Sequence, residues 1–172
     1  MSGPLIRAAR PEDAQCVVDL VNRVAEEDHT LGVDRFPLDA KGLAQFAATA
    51  DPLVHLLLTA HIDDRVVGYL YASRGTTDSM KHVSSMAVVV DKEARRQGVG
   101  TALITAMRGW AQVVGVRKLT LSVLQTNMAG RALFECNGYY VEALRRAQYS
   151  IAGQDVDELF MAAWLAGGDG HA

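Results

Sequence analysis

The spacing of apolar residues along the chain changes between helical and strand-like periods. After Pro11, which favours the first turn of a helix, Val17, Leu20, Val21 and Val24 recur on one helix face. Short runs rich in β-branched and aromatic residues predict strands. The predicted order is β-α-α-β-β-β-α-β-α-β-β, with strands at 5–10, 54–62, 66–73, 83–90, 119–124, 139–147 and 156–164, and helices starting at 11 and spanning 38–48, 99–114 and 127–136.

This order of elements predicts a mixed sheet with helices on its faces. A long hairpin over 54–73 precedes a strand-helix-strand unit. The unbroken apolar run 86–90 predicts a strand that is buried on both faces. Residues 26–37 are polar and contain Gly32 and Pro37, so they predict a loop.

Composition places the chain among ordinary globular proteins. It has 172 residues, of which 49% are hydrophobic and 22% charged. These values exclude disorder of the whole chain, and the length suits a single domain, expected over 1–166 with a disordered tail at 167–172. No apolar run approaches the roughly 20 residues that span a bilayer, and the N-terminus lacks a secretory apolar region. Cys16 and Cys136 are expected to be two buried, reduced thiols, so a cytoplasmic protein is predicted.

Charge is distributed unevenly. The net charge is −3, which argues against general binding to nucleic acid. Residues 1–80 contain 7 Lys/Arg and 12 Asp/Glu, whereas residues 81–172 contain 10 and 8. An acidic first half and a basic second half suit a cationic substrate that meets an anionic cofactor, although chance explains so small an imbalance equally well.

The segment that carries candidate chemistry is 88–103, with the sequence VVVDKEARRQGVGTAL. A strand leads into a turn containing Gly98 and Gly100, and a helix follows. Glycines let backbone amides approach a ligand, and the helix N-terminus favours an anion such as pyrophosphate. Leu103 stands where a dinucleotide fingerprint needs a third glycine, and no Walker lysine follows Gly100. Neither a nicotinamide cofactor nor ATP is therefore the first choice.

The motif R-x-x-G-x-G, formed by Arg95 to Gly100, resembles the acyl-coenzyme A signature of the GNAT superfamily of N-acetyltransferases. A later helix agrees, because Asn127 to Tyr139 keeps the spacing of N-x-x-A-x-x-L-Y-x-x-x-G-F. Three residues of that pattern differ, namely Gly130, Phe134 and Tyr139. The resemblance covers nearly the whole chain and implies an α/β (α+β) fold, a mixed, mostly antiparallel sheet of about seven strands flanked by about four helices.

The resemblance also implies a binding site for acetyl-CoA. Backbone groups of the strand would pair with the pantetheine arm, amides of the glycine loop would bind the pyrophosphate, and Asn127 would contact the pantetheine region. For Asn127 the alternative is a helix cap. The implied cofactor-binding residues are Val88, Val89, Val90, Arg95, Arg96, Gln97, Gly98, Val99, Gly100, Thr101, Asn127 and Phe134.

The groups that would move protons are not identified by the resemblance. Phe134 stands where many relatives have a tyrosine acid, and Ser122 where many have a glutamate. The candidates that remain are His82 and the alternating tyrosines of the late strands, Tyr139, Tyr140 and Tyr149, of which at least one is expected to face the cleft. For each, an ordinary structural role is the alternative.

The acceptor side of the site is predicted more coarsely. Glu26, Glu27, Asp28 and His29 follow the first helix and could attract an ammonium group. No spacing of His, Cys or Asp suggests a metal. The expected activity is acetyl transfer from acetyl-CoA to a primary amine of a small molecule by direct attack. The alternatives are a catalytically silent acyl-CoA-binding domain and an acetyltransferase of protein N-termini or lysines. A homodimer that pairs through 139–164 is also expected.

Overall fold

Seven strands form one sheet in the structure, a computed structural model that describes residues 3–28 and 31–165, with only the backbone of Glu27 and Asp28. The strands are β1 (Leu5–Ala8), β2 (His55–Ile62), β3 (Arg65–Arg74), β4 (Val83–Val90), β5 (Lys118–Leu124), β6 (Tyr140–Ile151) and β7 (Gln154–Trp164). Their order in the sheet is β1-β2-β3-β4-β5-β7-β6. Among the described strands β4 and β5 are parallel, and the other neighbours are antiparallel.

Four helices cover the sheet, and each begins where the sequence provides a cap or a turn. They are α1 (Ala14–Asp28), α2 (Ala40–Thr49), α3 (Val99–Val113) and α4 (Met128–Cys136). Asp39 caps α2, because its carboxylate accepts a hydrogen bond of 2.7 Å from the amide of Gly42. The order of elements predicted from the sequence is confirmed, as is the mixed, mostly antiparallel sheet.

Two apolar cores lie on opposite faces of the sheet. On one face α3 buries Leu103, Ile104 and Met107 against β2, β3 and β4. On the other face α1 and α2 pack against the same central strands through residues such as Val17 and Leu43. The first of these cores packs α3 against the sheet.

The sheet is split at its centre. β4 and β5 are paired over three residues, from Val83 opposite Lys118 to Ser85 opposite Thr120. Beyond that point β4 stays paired with β3 as far as Val90, and β5 stays paired with β7 as far as Leu124. The two halves of the sheet therefore diverge and leave a cleft between β4 and β5.

The cleft explains why one sequence expectation is wrong. The run 86–90 is not buried on both faces, since Ala87 is exposed and Val88 and Val90 are half-buried. Their apolar side chains line the cleft rather than a closed core. The burial expected for the cysteines is also wrong, because Cys16 and Cys136 are exposed, although both are free thiols as expected.

Candidate active site

The backbone of β4 presents hydrogen-bonding groups to the cleft. The amide of Gly75 bonds to the carbonyl of Val83, and the amide of Asp91 bonds to the carbonyl of Val67. Because backbone groups alternate in direction along an antiparallel strand, the odd-numbered residues of β4 bond to β3. The backbone groups of Met86, Val88 and Val90 therefore face the side on which β5 has diverged. Of the three valines predicted at this strand, Val89 is turned to β3.

A cavity of about 380 Å³ lies where β4 runs into α3. We call it the loop cavity. Its walls come from the end of β4, from the turn before α3 and from α4. Of the twelve residues predicted to bind the cofactor, eleven line it: Val88, Val89, Val90, Arg95, Arg96, Gly98, Val99, Gly100, Thr101, Asn127 and Phe134. Gln97 lies apart from the cavity lining, and its side-chain amide donates to the carbonyl of Glu93 at 2.8 Å.

Gly98 shapes the floor of the loop cavity. It is the N-cap residue of α3 with φ of 81°, a left-handed conformation that favours glycine. No side chain caps this helix, and a Cβ at Gly98 would meet nothing within 4 Å. The first amides of α3 have no partner inside the helix, so they can bind an anion at this positive end. The cradle inferred from the sequence is thus open to a ligand.

Asp91 fixes the start of the turn that carries this cradle. It is buried between β4 and the turn, and its carboxylate pairs with Arg23 of α1 at 2.6 Å and with Arg65 at 3.4 Å. The same carboxylate accepts from the amide of Glu93. The turn is therefore held against both α1 and β3.

A second cavity, of about 510 Å³, lies on the face of the sheet covered by α1 and α2. We call it the aromatic cavity, after five of its lining residues: Phe36, Phe46, Tyr69, Tyr71 and Tyr149. It reaches from β3 across the cleft to β6 and β7. The two cavities share Leu31, Val88, Val89, Asn127 and Phe134, so they meet at the cleft.

Asn127 and Phe134 form the boundary between the two cavities. Asn127 is the N-cap of α4, and its side-chain oxygen accepts from the amide of Gly130 at 2.8 Å. The helix-cap alternative is therefore present in the structure, while the same residue also lines both cavities. Phe134 is 6% exposed and contacts the ring of Tyr139 edge-on, with 5.9 Å between ring centroids.

Among the described residues, Glu158 in β7 contributes a carboxylate to the lining of the aromatic cavity. The Glu158 side chain is buried and forms an ion pair with Arg145. Its Oε2 lies 2.9 Å from Nε and 2.6 Å from Nη2 of Arg145. The other oxygen accepts from the Tyr149 hydroxyl at 3.2 Å. Burial and the negative charge of Glu158 raise the pKa of Tyr149, so this phenol stays protonated at neutral pH.

Glu158 is the residue that the sequence reasoning missed. The signal was present, because Asp157 and Glu158 are the two acids in the otherwise apolar run 156–164. Of the tyrosines of the late strands, Tyr149 lines a cavity, whereas Tyr139 and Tyr140 do not.

The other candidates for proton transfer lie away from both cavities. Tyr139 is in the core, where its hydroxyl contacts the sulfur of Met86 and burial raises its pKa to about 12. Tyr140 is on β6, and its hydroxyl accepts from the indole of Trp164. His82 precedes β4 at the end where β4 and β5 are still paired, and its carbonyl accepts from the amides of Arg117 and Lys118. None of the three is among the described residues that line either cavity, although Tyr139 contacts Met86 and Phe134, which do.

The predicted acidic loop is a helix end. α1 continues through Asp28, so Glu26 lies on the helix, where it is exposed and outside the lining of both cavities. The side chains of Glu27 and Asp28, and the whole of His29, lie outside the described residues. Leu31, Gly32 and Val33, which follow them, do line the aromatic cavity.

Comparison with known proteins agrees with this geometry. The profile of the acetyltransferase (GNAT) family matches residues 19–139. The chain is 36% identical over 97 residues to a mycothiol acetyltransferase of Kytococcus sedentarius. The matched region covers 56% of this chain and 27% of that protein. It is 28% identical over 117 residues to the ribosomal protein bS18-alanine N-acetyltransferase of Salmonella typhimurium, covering 68% and 75%.

A solved structure shows the same fold. The putative acetyltransferase yncA of Salmonella typhimurium, solved with its cofactor acetyl-CoA, superposes with a TM-score of 0.86 at 19% identity, covering 98% of each chain. The chain belongs to the acetyltransferase (GNAT) family and is an acetyl-CoA-dependent acyltransferase. The resemblance noted from the sequence is confirmed.

No helix in the described part of the chain combines the length and apolarity needed to cross a membrane. Within residues 3–28 and 31–165, no group of three or more His, Cys, Asp or Glu side chains is arranged to hold a metal ion.

Proposed function

We propose that this protein transfers the acetyl group of acetyl-CoA to a primary amine of a small molecule. The observation that carries the proposal is that the loop cavity and the aromatic cavity meet at Val88, Asn127 and Phe134. A donor that enters from the loop cavity and an acceptor in the aromatic cavity would meet there. A cavity of about 510 Å³ is of the size that encloses a small molecule.

The residues present fit the donor. Backbone groups of Val88 and Val90 face the cleft and would pair with the amides of the pantetheine arm. The first amides of α3 and the guanidinium groups of Arg95 and Arg96 would hold the phosphates. When bound, acetyl-CoA supplies a thioester, which can acylate an amine without any metal.

The transfer balances as a direct substitution. The amine nitrogen forms a bond to the acetyl carbon, the bond from that carbon to sulfur breaks, and coenzyme A leaves with the electron pair on sulfur. The amine must lose one proton, and the thiolate takes one up. Since amines are mostly protonated near pH 7, a base or water chain must remove that first proton. Holding both partners at the cleft would supply much of the rate.

Phe134→Tyr tests whether this position can assist the leaving group. The ring lies at the boundary of the two cavities, so a hydroxyl there is expected to find a partner and leave the melting temperature nearly unchanged. Turnover should stay similar or rise, because acid assistance contributes at most about 10²- to 10⁴-fold. Melting temperature and kcat are measured together, and a clear loss of stability with unchanged kcat would assign Phe134 to packing alone.

A homodimer is the assembly that we propose. β6 is an edge strand of 12 residues, and it exposes three large apolar side chains, Tyr140 at 47%, Val141 at 42% and Leu144 at 41%. A long edge strand with exposed apolar side chains offers a surface for pairing with a second copy. Light scattering at tens of micromolar protein is expected to give the mass of two chains, and the mass of one chain would count against pairing.

We also place the protein in the cytoplasm. Its two cysteines are free and exposed, a state that a reducing compartment preserves.

Release of free thiol from acetyl-CoA, measured with a panel of acceptors, tests the proposed function. Turnover with small amines supports it. Turnover with peptides alone would favour a protein acceptor, the alternative suggested by the similarity to the bS18-alanine N-acetyltransferase. Tight binding of acetyl-CoA without turnover on any acceptor would favour a silent binding domain.

A further inference from the structure

We propose that the acceptor is a compact monoamine with an apolar, uncharged body, such as an arylalkyl or branched alkyl amine, and that Glu158 and Tyr149 bind its amino group. The inference rests on the proposed function, because it concerns the acceptor of that same reaction. The supporting observation is the aromatic cavity, which is apolar at one end and acidic at the other.

One end of the aromatic cavity is apolar. Phe36 contacts Tyr69 edge-on with 5.9 Å between centroids, and Phe46 contacts Tyr71 in the same way at 6.0 Å. Tyr71 donates to or accepts from His55 at 3.0 Å, so its hydroxyl already has a partner. Leucine, valine and proline side chains complete this end: Val21, Val33, Pro37, Leu38 and Leu43. Such walls favour an aryl or branched alkyl group.

The other end is acidic and lies beyond the cleft. Glu158 is directly opposite Leu124 in the pairing of β5 with β7, and the amide of Gln125 bonds to the carbonyl of Asp157. Asn127, at the boundary of the two cavities, is two residues further along the chain than Gln125. Glu158 therefore lies close to the place where the two cavities meet.

Glu158 and Tyr149 keep capacity to accept hydrogen bonds. Arg145 occupies one carboxylate oxygen of Glu158 with two nitrogens, whereas the other oxygen receives one hydrogen bond, from Tyr149. A carboxylate oxygen can accept two bonds. The Tyr149 hydroxyl donates a hydrogen bond to Glu158, so the lone pairs on its oxygen can still accept one. An amino group between these two oxygens would have charge-assisted partners in a buried setting.

A free carboxylate on the acceptor is disfavoured at this site. No lysine or arginine is among the described residues that line the aromatic cavity. Arg145 lies over the ring of Phe160 at 4.9 Å and is engaged by Glu158. An amino acid would bring its carboxylate close to that of Glu158, where Arg145 is already paired with Glu158 and no Lys or Arg is among the described lining residues, and such burial is costly. The cavity therefore selects an amine over the amino acid that carries the same side chain.

The backbone at Gly32 covers part of Tyr149. A Cβ built on Gly32 would lie 2.8 Å from the Tyr149 hydroxyl oxygen and 2.9 Å from its ring. The backbone at Gly32 thus lies directly on this ring. This contact limits the length of the acceptor, which disfavours polyamines and peptides.

The test compares each amine with its amino-acid counterpart. The substrates are 2-phenylethylamine against L-phenylalanine, and 3-methylbutylamine against L-leucine. We expect kcat/KM for thiol release to be at least about 100-fold higher for each amine, because the counterpart must bury an unpaired charge. Calorimetric titration of the same four compounds into protein saturated with coenzyme A gives a readout that does not depend on turnover.

The outcomes separate the inference from the proposed function. Amines that bind without turnover would support this acceptor class and refute the transferase activity on it. Turnover that is equal or greater with amino acids, or confined to peptides, would keep the transferase and overturn the inference. Failure of both amines to bind the saturated protein would also overturn it.

Two variants test the roles of Glu158 and Tyr149. Glu158→Gln and Tyr149→Phe are expected to raise KM for 2-phenylethylamine at least about tenfold while KM for acetyl-CoA stays within about twofold. Binding of the neutral analogue 2-phenylethanol should change little, which a merely structural role would not predict. Tyr149→Phe leaves the ion pair of Glu158 with Arg145 intact. It therefore still tests binding of the amino group if Glu158→Gln folds poorly.

The matched control is Glu142→Gln. Glu142 is on β6, is paired with Lys118 at 2.8 Å, and lies outside the lining of both cavities. This variant should leave KM for the amine unchanged. An equal rise in KM for Glu142→Gln and Glu158→Gln would contradict the proposal that Glu158 binds the amino group of the acceptor.

Discussion

Acetyl-CoA at about 100 times its dissociation constant is expected to raise the free energy of unfolding by about 2.7 kcal/mol, because it binds the folded chain and not the unfolded one. For a domain of this size each kcal/mol corresponds to about 2–4 °C, so the melting temperature should rise by about 5–11 °C. On our proposal the loop cavity would supply the binding energy through the backbone of β4 and the first amides of α3.

NAD and ATP are the controls for this thermal shift. Both carry a pyrophosphate or polyphosphate and could touch the same amides, but neither has a pantetheine arm to pair with Val88 and Val90. Their effect should be much smaller than that of acetyl-CoA. No shift with millimolar acetyl-CoA would contradict the assignment of the cleft as its site.

Gly98→Ala is expected to weaken coenzyme A binding by at least about tenfold. The added Cβ would project into the open space at the N-terminus of α3, where we place the phosphates. The positive φ of Gly98 would also cost about 1–2 kcal/mol of stability once a Cβ is present. Calorimetry gives the affinity, and denaturation gives the stability.

Gly115→Ala separates those two effects. Gly115 lies just beyond the other end of α3, with φ of 77° and nothing within 4 Å of a built Cβ. The backbone strain is therefore matched, but the position is remote from the loop cavity. It should lose similar stability and keep its affinity for coenzyme A. Equal loss of affinity in both variants would mean that Gly98 acts through stability alone.

Gly100 is unsuitable for this comparison. It is buried, and a Cβ there would lie 2.7 Å from the Leu133 side chain of α4. A substitution would disturb the packing of α3 on α4 together with any effect on the ligand.

Local patterns were sufficient to predict the order of elements and the position of the glycine loop. The strand 83–90 has the predicted bounds, and α3 and α4 begin within one residue of prediction, because glycine turns and an Asn cap mark their ends. Eleven of the twelve predicted cofactor residues line one cavity, since they are close in sequence or follow the next strand directly.

What depends on pairing between distant strands could not be predicted. The divergence of β4 from β5 is a property of register, and it makes Val88 a cleft residue although its sequence context is that of a core strand. Glu158 and Tyr149 meet because β6 and β7 form a hairpin with irregular register between Arg145 and Tyr149. The alternation of tyrosines alone did not show which of them would face inward.

We place the donor in the cleft between β4 and β5, with its phosphates at the N-terminus of α3. Titration of ¹⁵N-labelled protein with acetyl-CoA, followed by the amide signals, tests this placement. We predict large shifts for the amides of Val88, Val90 and Gly98 to Thr101, and little change at Gly115 and in β1. Shifts concentrated on β1 or around Gly115, with those of Val88 and Gly98 unmoved, would contradict the claim.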